Sequence, residues 1–407
     1  MRLFWHELRK IWARWTALLV IIAVTGMYSF IFFRIAIISP TSFIRLHHHA
    51  MIAADLQNKY GATLSPENRI DSEKLFDVYT SWLDEFIEND SRFTDHGVYT
   101  WAALRENMPL FNSLDAYDMF QMIYAMETNH ALDRIITLEN FFRLYDFYYD
   151  AGFEGGLDLI WDDSGLIPLF EPHIETLATF IYSDHYKYCP MQSVFPSWFV
   201  DTTTWFFRDL ITIVIIAVGI LILPIITRDR LSNMVDLQYS SKAGRRILRT
   251  QFAAMMVSSF ALSAIIIGSL ITVFLVSNAV FYDSFFNSRI ASTIWNLHLP
   301  WFDITFMQFV GISFVISMAV AMAASMVLFF LSAHSHNYVN LLLKAIPVIV
   351  VMSRLGRMAL YMPLMFQNPL YAMWNVIGIE FIASGVLLAI GIGLYIFTCK
   401  QALRKDL

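Results

Sequence analysis

Two uninterrupted apolar runs restrict what this chain can fold into. Residues 210–227 (LITIVIIAVGILILPIIT) and residues 252–276 contain no charged side chain. About 20 consecutive apolar residues are enough for a helix to cross the hydrocarbon core of a bilayer. Runs of this length without a charge are typical of membrane spans, so the chain is predicted to be a membrane protein.

The same criterion identifies six candidate spans in the 407 residues. They are residues 15–38, 206–227, 252–281, 303–331, 338–362 and 377–398. The composition agrees, because 57% of the residues are hydrophobic and only 15% are charged, which is far from the balance of a soluble domain. The first run is too long for the core of a signal peptide and lacks a small-residue cleavage site. We therefore predict an all-α polytopic membrane protein with six transmembrane helices.

Basic residues predict the orientation of these spans, because Lys and Arg concentrate in the short cytoplasmic loops of membrane proteins. They cluster in the N-terminus, in residues 228–251 and in the tail 399–407. With six spans these three segments fall on one side, so both termini and the loop are predicted to be cytoplasmic. Cys189 and Cys399 then lie on opposite sides of the membrane. An outer segment without an internal disulfide favours a bacterial cytoplasmic membrane.

Residues 39–205 form a large polar segment that is predicted to lie on the other side of the membrane. The segment holds 26 acidic and 9 basic residues, a net charge of −17, whereas the rest of the chain is net positive. Its 167 residues are enough for a domain with its own core. Apolar residues recur at spacings of 3 and 4 in residues 72–88, 116–127 and 138–150, a pattern that predicts helices. We expect a mostly helical extracytoplasmic domain.

Two short segments are predicted to lie at the membrane surfaces. Residues 1–14 place their apolar side chains on one helical face, with Arg2, Arg9 and Lys10 away from it, which predicts an amphipathic helix on the inner leaflet. Residues 363–376 are apolar and aromatic but contain two prolines. Such a segment is too short to cross and too apolar for a free loop, so it predicts a short helix at the outer interface.

The chain shows no residue pattern that is typical of catalysis or metal binding. It contains neither GxxxxGK[ST] nor HExxH, the motifs that bind nucleotide phosphates and catalytic zinc. The run His47–His49 cannot converge on one ion, because adjacent helical residues point about 100° apart. The carboxylates of Asp158, Asp162 and Asp163 lack the spacing of a calcium loop. We predict no catalytic residue, metal or cofactor in this chain, and no nucleic-acid partner.

Three ionisable residues near the outer ends of spans five and six form a candidate polar site within the membrane. Arg354 and Arg357 lie one turn apart on the same face of span five, and Glu380 opens span six. Charges at this depth are costly and mark paired or functional positions. Three interpretations stay open: pairing with Glu380, snorkelling of both arginines to the outer interface, and contact with an anionic group of a substrate. Pairing is the interpretation that we favour.

The basic loop 228–251 is a candidate docking surface. Apolar side chains stand among its basic residues, and Ser240 and Ser241 interrupt the apolar pattern. A short helix with an apolar face, held outside the membrane by basic flanks, fits a cytoplasmic protein partner. The alternative is a membrane-bound loop whose charges meet anionic lipid.

These features together resemble the transmembrane subunit of ABC-2-type exporters. In that family the loop after span two docks into the ATPase as a coupling helix, and it often reads as an acidic residue, a Leu-rich turn, a small-residue break and an Arg. The resemblance assigns ATPase coupling to Asp229, Met234, Val235, Asp236, Leu237, Tyr239 and Arg245. Two departures stand out: Leu231 and Ser232 replace a common second acidic residue, and the usual Pro of the break is absent.

The resemblance covers the membrane portion of the chain, about 240 residues, and implies a permease subunit powered by separate ATPase subunits. Those partners hold ATP and Mg²⁺, a second permease copy or paralogue completes the complex, and membrane lipid surrounds it. The implied cargo is lipid-like, a peptide or an antibiotic. Two alternatives stay open: a permease that drives extracytoplasmic work without translocation, and a membrane sensor or scaffold.

Overall fold

Helices dominate the computed structural model of this chain, so the prediction of a mostly helical protein is confirmed. The structure describes residues 2–38, 52, 54–60, 66–106, 130–149, 195–232, 247–277, 285–290, 293–294, 300–302, 304–365 and 367–404. The elements up to the first strand are α1 (Arg2–Ile11), α2 (Arg14–Ile38), α3 (Pro66–Glu88), α4 (Ser91–Thr94), α5 (Trp101–Glu106), α6 (His130–Tyr149) and β1 (Phe195–Pro196). The elements after it are α7 (Ser197–Ile222), α8 (Pro224–Leu231), α9 (Ile247–Ser277), β2 (Thr293–Ile294), α10 (Phe306–Ala333), α11 (Tyr338–Ala359), α12 (Pro369–Trp374) and α13 (Ile379–Arg404).

Five helical segments of the described residues are long and apolar enough to cross a membrane. They are Phe199–Leu231, Ile247–Val276, Phe306–Ala333, Tyr338–Ala359 and Ile379–Gln401. In the described residues, α1 and α2 meet the same criterion only when they are taken together across a bend of 47°. The chain is therefore a helical, membrane-embedded protein, and the first of the six spans stays a prediction.

α10 is the central helix of the bundle. It packs against α7, α9, α11 and α13, and its buried side chains run from Phe306 to Ser332. A capping box starts it: the Thr305 hydroxyl accepts a hydrogen bond from the Gln308 amide, and the Gln308 side chain accepts one from the Thr305 amide. These bonds satisfy two backbone donors that a helix start leaves without a partner.

Glycine permits two close helix crossings in the bundle. A Cβ built on Gly391 of α13 would lie 2.9 Å from the Cβ of Met326 in α10. One built on Gly356 of α11 would lie 3.0 Å from Cγ1 of Ile211 in α7. Carbon atoms in contact prefer about 3.5–4.0 Å, so these helices approach closely because these positions carry no side chain, as is common between membrane helices.

α7 and α8 form one long segment with a break at Pro224, whose missing N–H interrupts the helical hydrogen bonds. α7 begins at Ser197, earlier than the predicted start of span two at 206. The added turns contain Asp201 and three threonines, and Thr203 and Thr204 are each only 1% exposed. This part of the helix therefore packs against protein, which the apolar run alone did not indicate.

α3 to α6 form a second, smaller core. Its buried side chains are Leu83, Ile87, Phe93, Val98, Trp101, Leu104, Ala131, Leu132 and Ile135. Asp84 accepts a hydrogen bond from the Trp101 amide at 2.6 Å and so fixes the start of α5. The helix predicted at 72–88 lies within α3, and α6 covers most of the one predicted at 138–150. The helix predicted at 116–127 lies outside the described residues.

This polar helical unit is joined to the membrane helices by packing. Leu138 of α6 and Phe199 of α7 are both fully buried and belong to one contiguous hydrophobic cluster. Gln57 Nε2 donates to Ser288 Oγ at 3.4 Å. β1 pairs in parallel with β2, with Phe195 opposite Thr293. The unit therefore shares one hydrophobic cluster with the Phe199 end of α7, and α6 packs against β2.

A fixed turn connects α11 to α12. Met362 and Leu364 adopt left-handed backbone conformations, with φ of 49° and 60°, which a helix cannot contain. Asn368 is fully buried and starts α12: its Oδ1 accepts from the first turn, and its Nδ2 donates to the Tyr361 carbonyl at 2.8 Å. The short helix predicted over 363–376 is therefore confined to Pro369–Trp374.

Candidate functional site at the ends of α8 and α9

α8 ends in a buried ion-pair cluster at the start of the predicted docking loop 228–251. Asp229 is only 4% exposed, although Asp residues are almost always at the surface unless they are paired. Its carboxylate pairs with Lys10 of α1 and accepts a hydrogen bond from Gln251 Nε2 of α9 at 2.9 Å. A charge removed from water needs such partners to offset the lost hydration. Asp229 therefore joins three helices.

The same cluster fixes α1 on α9. Lys10 Nζ also lies 3.7 Å from Glu7 Oε2, and Glu7 is 2% exposed. Trp12 Nε1 donates to Ser258 Oγ at 3.2 Å. Lys10 is predicted to lie away from the apolar face of α1. Its side chain reaches inward instead, because the buried carboxylate of Asp229 requires a cation.

Arg230 and Ser332 tie the end of α8 and the break before it to α10. The Arg230 guanidinium donates to the backbone carbonyls of Ser335 and Ala333, the latter at 2.9 Å. The last carbonyls of a helix lack partners and carry partial negative charge, so the arginine caps α10. Ser332 Oγ donates to the Leu223 carbonyl at 2.9 Å, next to the proline break.

His334 links the same end of α10 to α13. Its Nδ1 lies 2.9 Å from the Phe330 carbonyl, and its Nε2 lies 2.5 Å from the side-chain amide of Gln401. The ends of α1, α8, α9, α10 and α13 are thus held together by polar side chains.

The predicted coupling loop leaves and re-enters the bundle inside this cluster. Among the residues assigned to ATPase coupling, the structure places Asp229, whereas Met234, Val235, Asp236, Leu237, Tyr239 and Arg245 lie outside the described residues. Because Asp229 is buried, it holds the base of the loop and has no surface to offer a partner. Sequence reasoning missed Glu7, Lys10 and Gln251; the spacing of Glu7 and Lys10, three residues apart, was the available signal.

At the other end of the bundle, Arg357 pairs with Asp209 of α7 and not, as predicted, with Glu380. Its Nη1 lies 2.5 Å from Asp209 Oδ1. Gly356, the preceding residue, packs against Ile211 of α7, so this face of α11 is turned toward α7. A short turn connects span five to span six, which favoured Glu380 as the partner, but the packing of α11 on α7 brings the carboxylate of Asp209 closer.

Glu380 and Arg354 are the other two residues of the predicted intramembrane site. Glu380 is 1% exposed, and its carboxylate accepts a hydrogen bond from the Leu364 amide at 2.5 Å. Among the described residues it forms no ion pair. Arg354 is exposed and has no ion-pair partner in the same part of the chain. The three predicted residues are therefore not brought together, and the exposure of Arg354 agrees with snorkelling.

No protein-family model, curated protein or solved structure matches this chain. Within the described ranges, no three His, Cys, Asp or Glu side chains are grouped closely enough to hold a metal ion. The run His47–His49 and the carboxylates of Asp158, Asp162 and Asp163 lie outside those ranges. The fold defines the class as a helical membrane protein. A narrower functional class has to be inferred from the polar cluster at the ends of α8 and α9.

Proposed function

We propose that the chain is the permease subunit of an ATP-driven ABC exporter in a bacterial cytoplasmic membrane. In this proposal α2 is the first of six spans, both termini and the loop 228–251 are cytoplasmic, and α3 to α6 lie outside. Separate ATPase subunits, which carry ATP and Mg²⁺, bind the loop, and a second permease copy or paralogue completes the pore. The cargo is a lipid-like molecule, a peptide or an antibiotic.

The observation that carries this proposal is the attachment of the base of the loop to several helices at once. Asp229 connects the loop to α1 and α9 through Lys10 and Gln251. Arg230 connects it to α10, which in turn packs against α7, α9, α11 and α13. Packed helices shift as discrete bodies, not by continuous deformation. A force that an ATPase applies to the loop is therefore passed to the whole bundle.

Docking of the ATPase on the loop can be tested by co-purification. Changing Val235, Leu237 and Tyr239 to Asp removes the apolar face and is expected to release the ATPase while the permease stays in the membrane. The matched control changes Lys242, Arg245 and Arg246 to Gln in the same loop. It is expected to matter less, because exposed ion pairs contribute about 0–1 kcal/mol each. Full co-purification with the first variant would refute the docking assignment.

The orientation can be tested with single cysteines in a chain whose Cys189 and Cys399 are replaced by Ser. Ser81 of α3 and Ser232 after α8 are both exposed. A membrane-impermeant thiol reagent is expected to label Ser81→Cys in intact cells, and Ser232→Cys only after the membrane is opened. Labelling of Ser232→Cys in intact cells would reverse the orientation and remove the coupling mechanism.

A second candidate function is mechanical work on the outer side without translocation. It is favoured by the single hydrophobic cluster that includes both Leu138 of α6 and Phe199 of α7, which would carry a movement of the bundle into the polar unit. Cysteines at Gln57 and Ser288, which contact each other, test it by disulfide cross-linking. A cross-linking rate that depends on ATP in the assembled complex supports outer work, and a rate that does not depend on ATP argues against it.

A further inference from the structure

α7 and α11 carry two arginines and one carboxylate side by side. Arg357 of α11 donates to the carboxylate of Asp209 and approaches the backbone carbonyl of Arg208 at 3.5 Å. Arg208 directly precedes Asp209, whose carboxylate Arg357 already occupies. In the part of the chain that the structure describes, Arg208 forms no ion pair of its own. The group therefore keeps a net charge of +1.

The Arg208 guanidinium is held in place, but one of its donors lacks a hydrogen-bond partner among the described residues. It lies over the ring of Tyr361, with Cζ 4.8 Å from the ring centroid. Its Nε is buried without a hydrogen-bond partner among the described residues. A charged donor that loses water without gaining an acceptor is costly. The planar fork of an arginine matches a phosphate group, which it binds through two parallel hydrogen bonds.

The depth of this group corresponds to the lipid headgroups. Arg208 precedes Arg228, at the other end of the same segment, by 20 residues, or about 30 Å of helix, which is the thickness of the hydrocarbon core. Arg357 follows Asn337, the residue that caps the start of α11, by the same number of residues. Trp205, one turn before Asp209, is 55% exposed, and Trp is enriched at this level of the membrane.

We propose that Arg208, Arg357 and Tyr361 bind the phosphate of an anionic lipid headgroup in the leaflet at this end of α7. Arg208 and Arg357 supply the hydrogen-bond donors and the positive charge. Asp209 orients Arg357, and the Tyr361 ring supports the Arg208 guanidinium from one side. The site does not depend on the proposed exporter function, because it uses only α7, α11 and the residues that follow α11.

The test measures the binding of phosphatidylglycerol and phosphatidylcholine to the purified full chain in detergent by native mass spectrometry. Arg208→Gln is expected to weaken phosphatidylglycerol binding about tenfold, the effect of losing one charge-assisted hydrogen bond. Binding of phosphatidylcholine is expected to change little. Arg354→Gln is the matched control, since it removes an exposed charge at the same end of α11. Equal losses in the two variants would overturn the site in favour of general charge attraction.

Two further variants keep the proposal testable if Arg208→Gln does not fold. Arg208→Lys keeps the charge but loses the planar fork, and Tyr361→Leu removes the supporting ring; both are expected to bind phosphatidylglycerol more weakly than the unmodified chain. Unchanged binding in both would overturn the proposal.

Competition with inorganic phosphate distinguishes a lipid headgroup from a free phosphate ion as the ligand of this site. Phosphatidylglycerol binding that survives excess phosphate supports a lipid site, and displacement by phosphate would mean a site for the free ion.

Discussion

The carboxylate of Glu380 accepts a hydrogen bond from the backbone amide of Leu364, 16 residues earlier in the chain. Leu364 has a left-handed φ of 60°, and its own carbonyl accepts a hydrogen bond from the Trp301 amide at 2.8 Å. Backbone in this region is costly for a residue other than glycine and persists only where its surroundings hold it. The buried acid at the start of α13 therefore holds the turn that follows α11.

Replacement of Glu380 separates its acceptor role from its charge. Glu380→Ala is expected to lower the free energy of unfolding by about 1–3 kcal/mol, because the Leu364 amide loses its buried acceptor. Glu380→Gln keeps an oxygen at the same position and is expected to cost less. Thermal unfolding in detergent measures both variants. If Gln proves as damaging as Ala, the negative charge itself is the stabilising feature.

The Arg357–Asp209 pair is expected to show a coupling energy of about 1–2 kcal/mol in a double-mutant cycle, between the values for exposed and buried pairs. The two side chains are 31% and 16% exposed, which places the pair between those limits. The same cycle on Arg357 and Glu380 should give a value near zero, and exchanging these two residues should not restore stability. A larger coupling energy for Arg357 and Glu380 than for Arg357 and Asp209 would contradict the packing of α11 on α7.

Substitution of Lys10 is expected to be among the most damaging single changes in α1. Lys10→Met leaves the carboxylate of Asp229 buried without its cation, which typically costs about 3–5 kcal/mol. Arg2→Met, an exposed position on the same helix, is the control and should change the unfolding temperature little. Similar effects of the two substitutions would show that Asp229 does not depend on Lys10.

Two glycines of α13 provide a matched test of the close crossing with α10. Gly385 has open space where a Cβ would lie, so Gly385→Ala should be neutral or stabilise by up to about 1 kcal/mol through helix propensity. Gly391→Ala places a Cβ 2.9 Å from that of Met326 and is expected to destabilise by about 1–3 kcal/mol. Thermal unfolding in detergent measures the stability of both variants. If Gly391→Ala stabilises the protein, α10 and α13 are farther apart than described above.

Acid is expected to weaken the polar unit of α3 to α6 through Asp90. The hydrogen bonds from the Arg92 side chain lower the pKa of Asp90 below its usual value of 3.8. The folded carboxylate therefore takes up its proton at a lower pH than the unfolded one. Its stabilisation is complete above the unfolded pKa and is lost as the pH falls through the folded pKa.

The measurement for Asp90 is thermal unfolding of the unit as a function of pH. Unfolding temperatures should fall with acidification below about pH 4, and Asp90→Asn should make that fall less steep. Asp77→Asn, at an exposed position of α3, is the control for the loss of a carboxylate at the surface. An identical profile for the chain and for Asp90→Asn would show that Asp90 does not contribute to it.

The features that could be predicted from the sequence are those that depend on local properties. The apolar length of a run is local, so the segments that became α9, α10, α11 and α13 could be recognised. The pairing of charges is not local: Arg357 and Asp209 are 148 residues apart, and nothing along the chain distinguishes Asp209 from Glu380 as the partner. The start of α12 depends on the left-handed backbone of Leu364, which in turn depends on a carboxylate from the next span.

The docking of α1 on α9 also sets an order for the biosynthesis of this chain. Trp12 and Ser258 are separated by 246 residues, which a ribosome adds in about 10–50 s at 5–20 residues per second. For most of that interval Asp229, Gln251 and Ser258 do not yet exist, and the apolar side chains of α1 must rest on the bilayer or on a chaperone. α1 is thus made long before its final neighbours, and a chain truncated before α9 exposes the face of α1 that packs on α9.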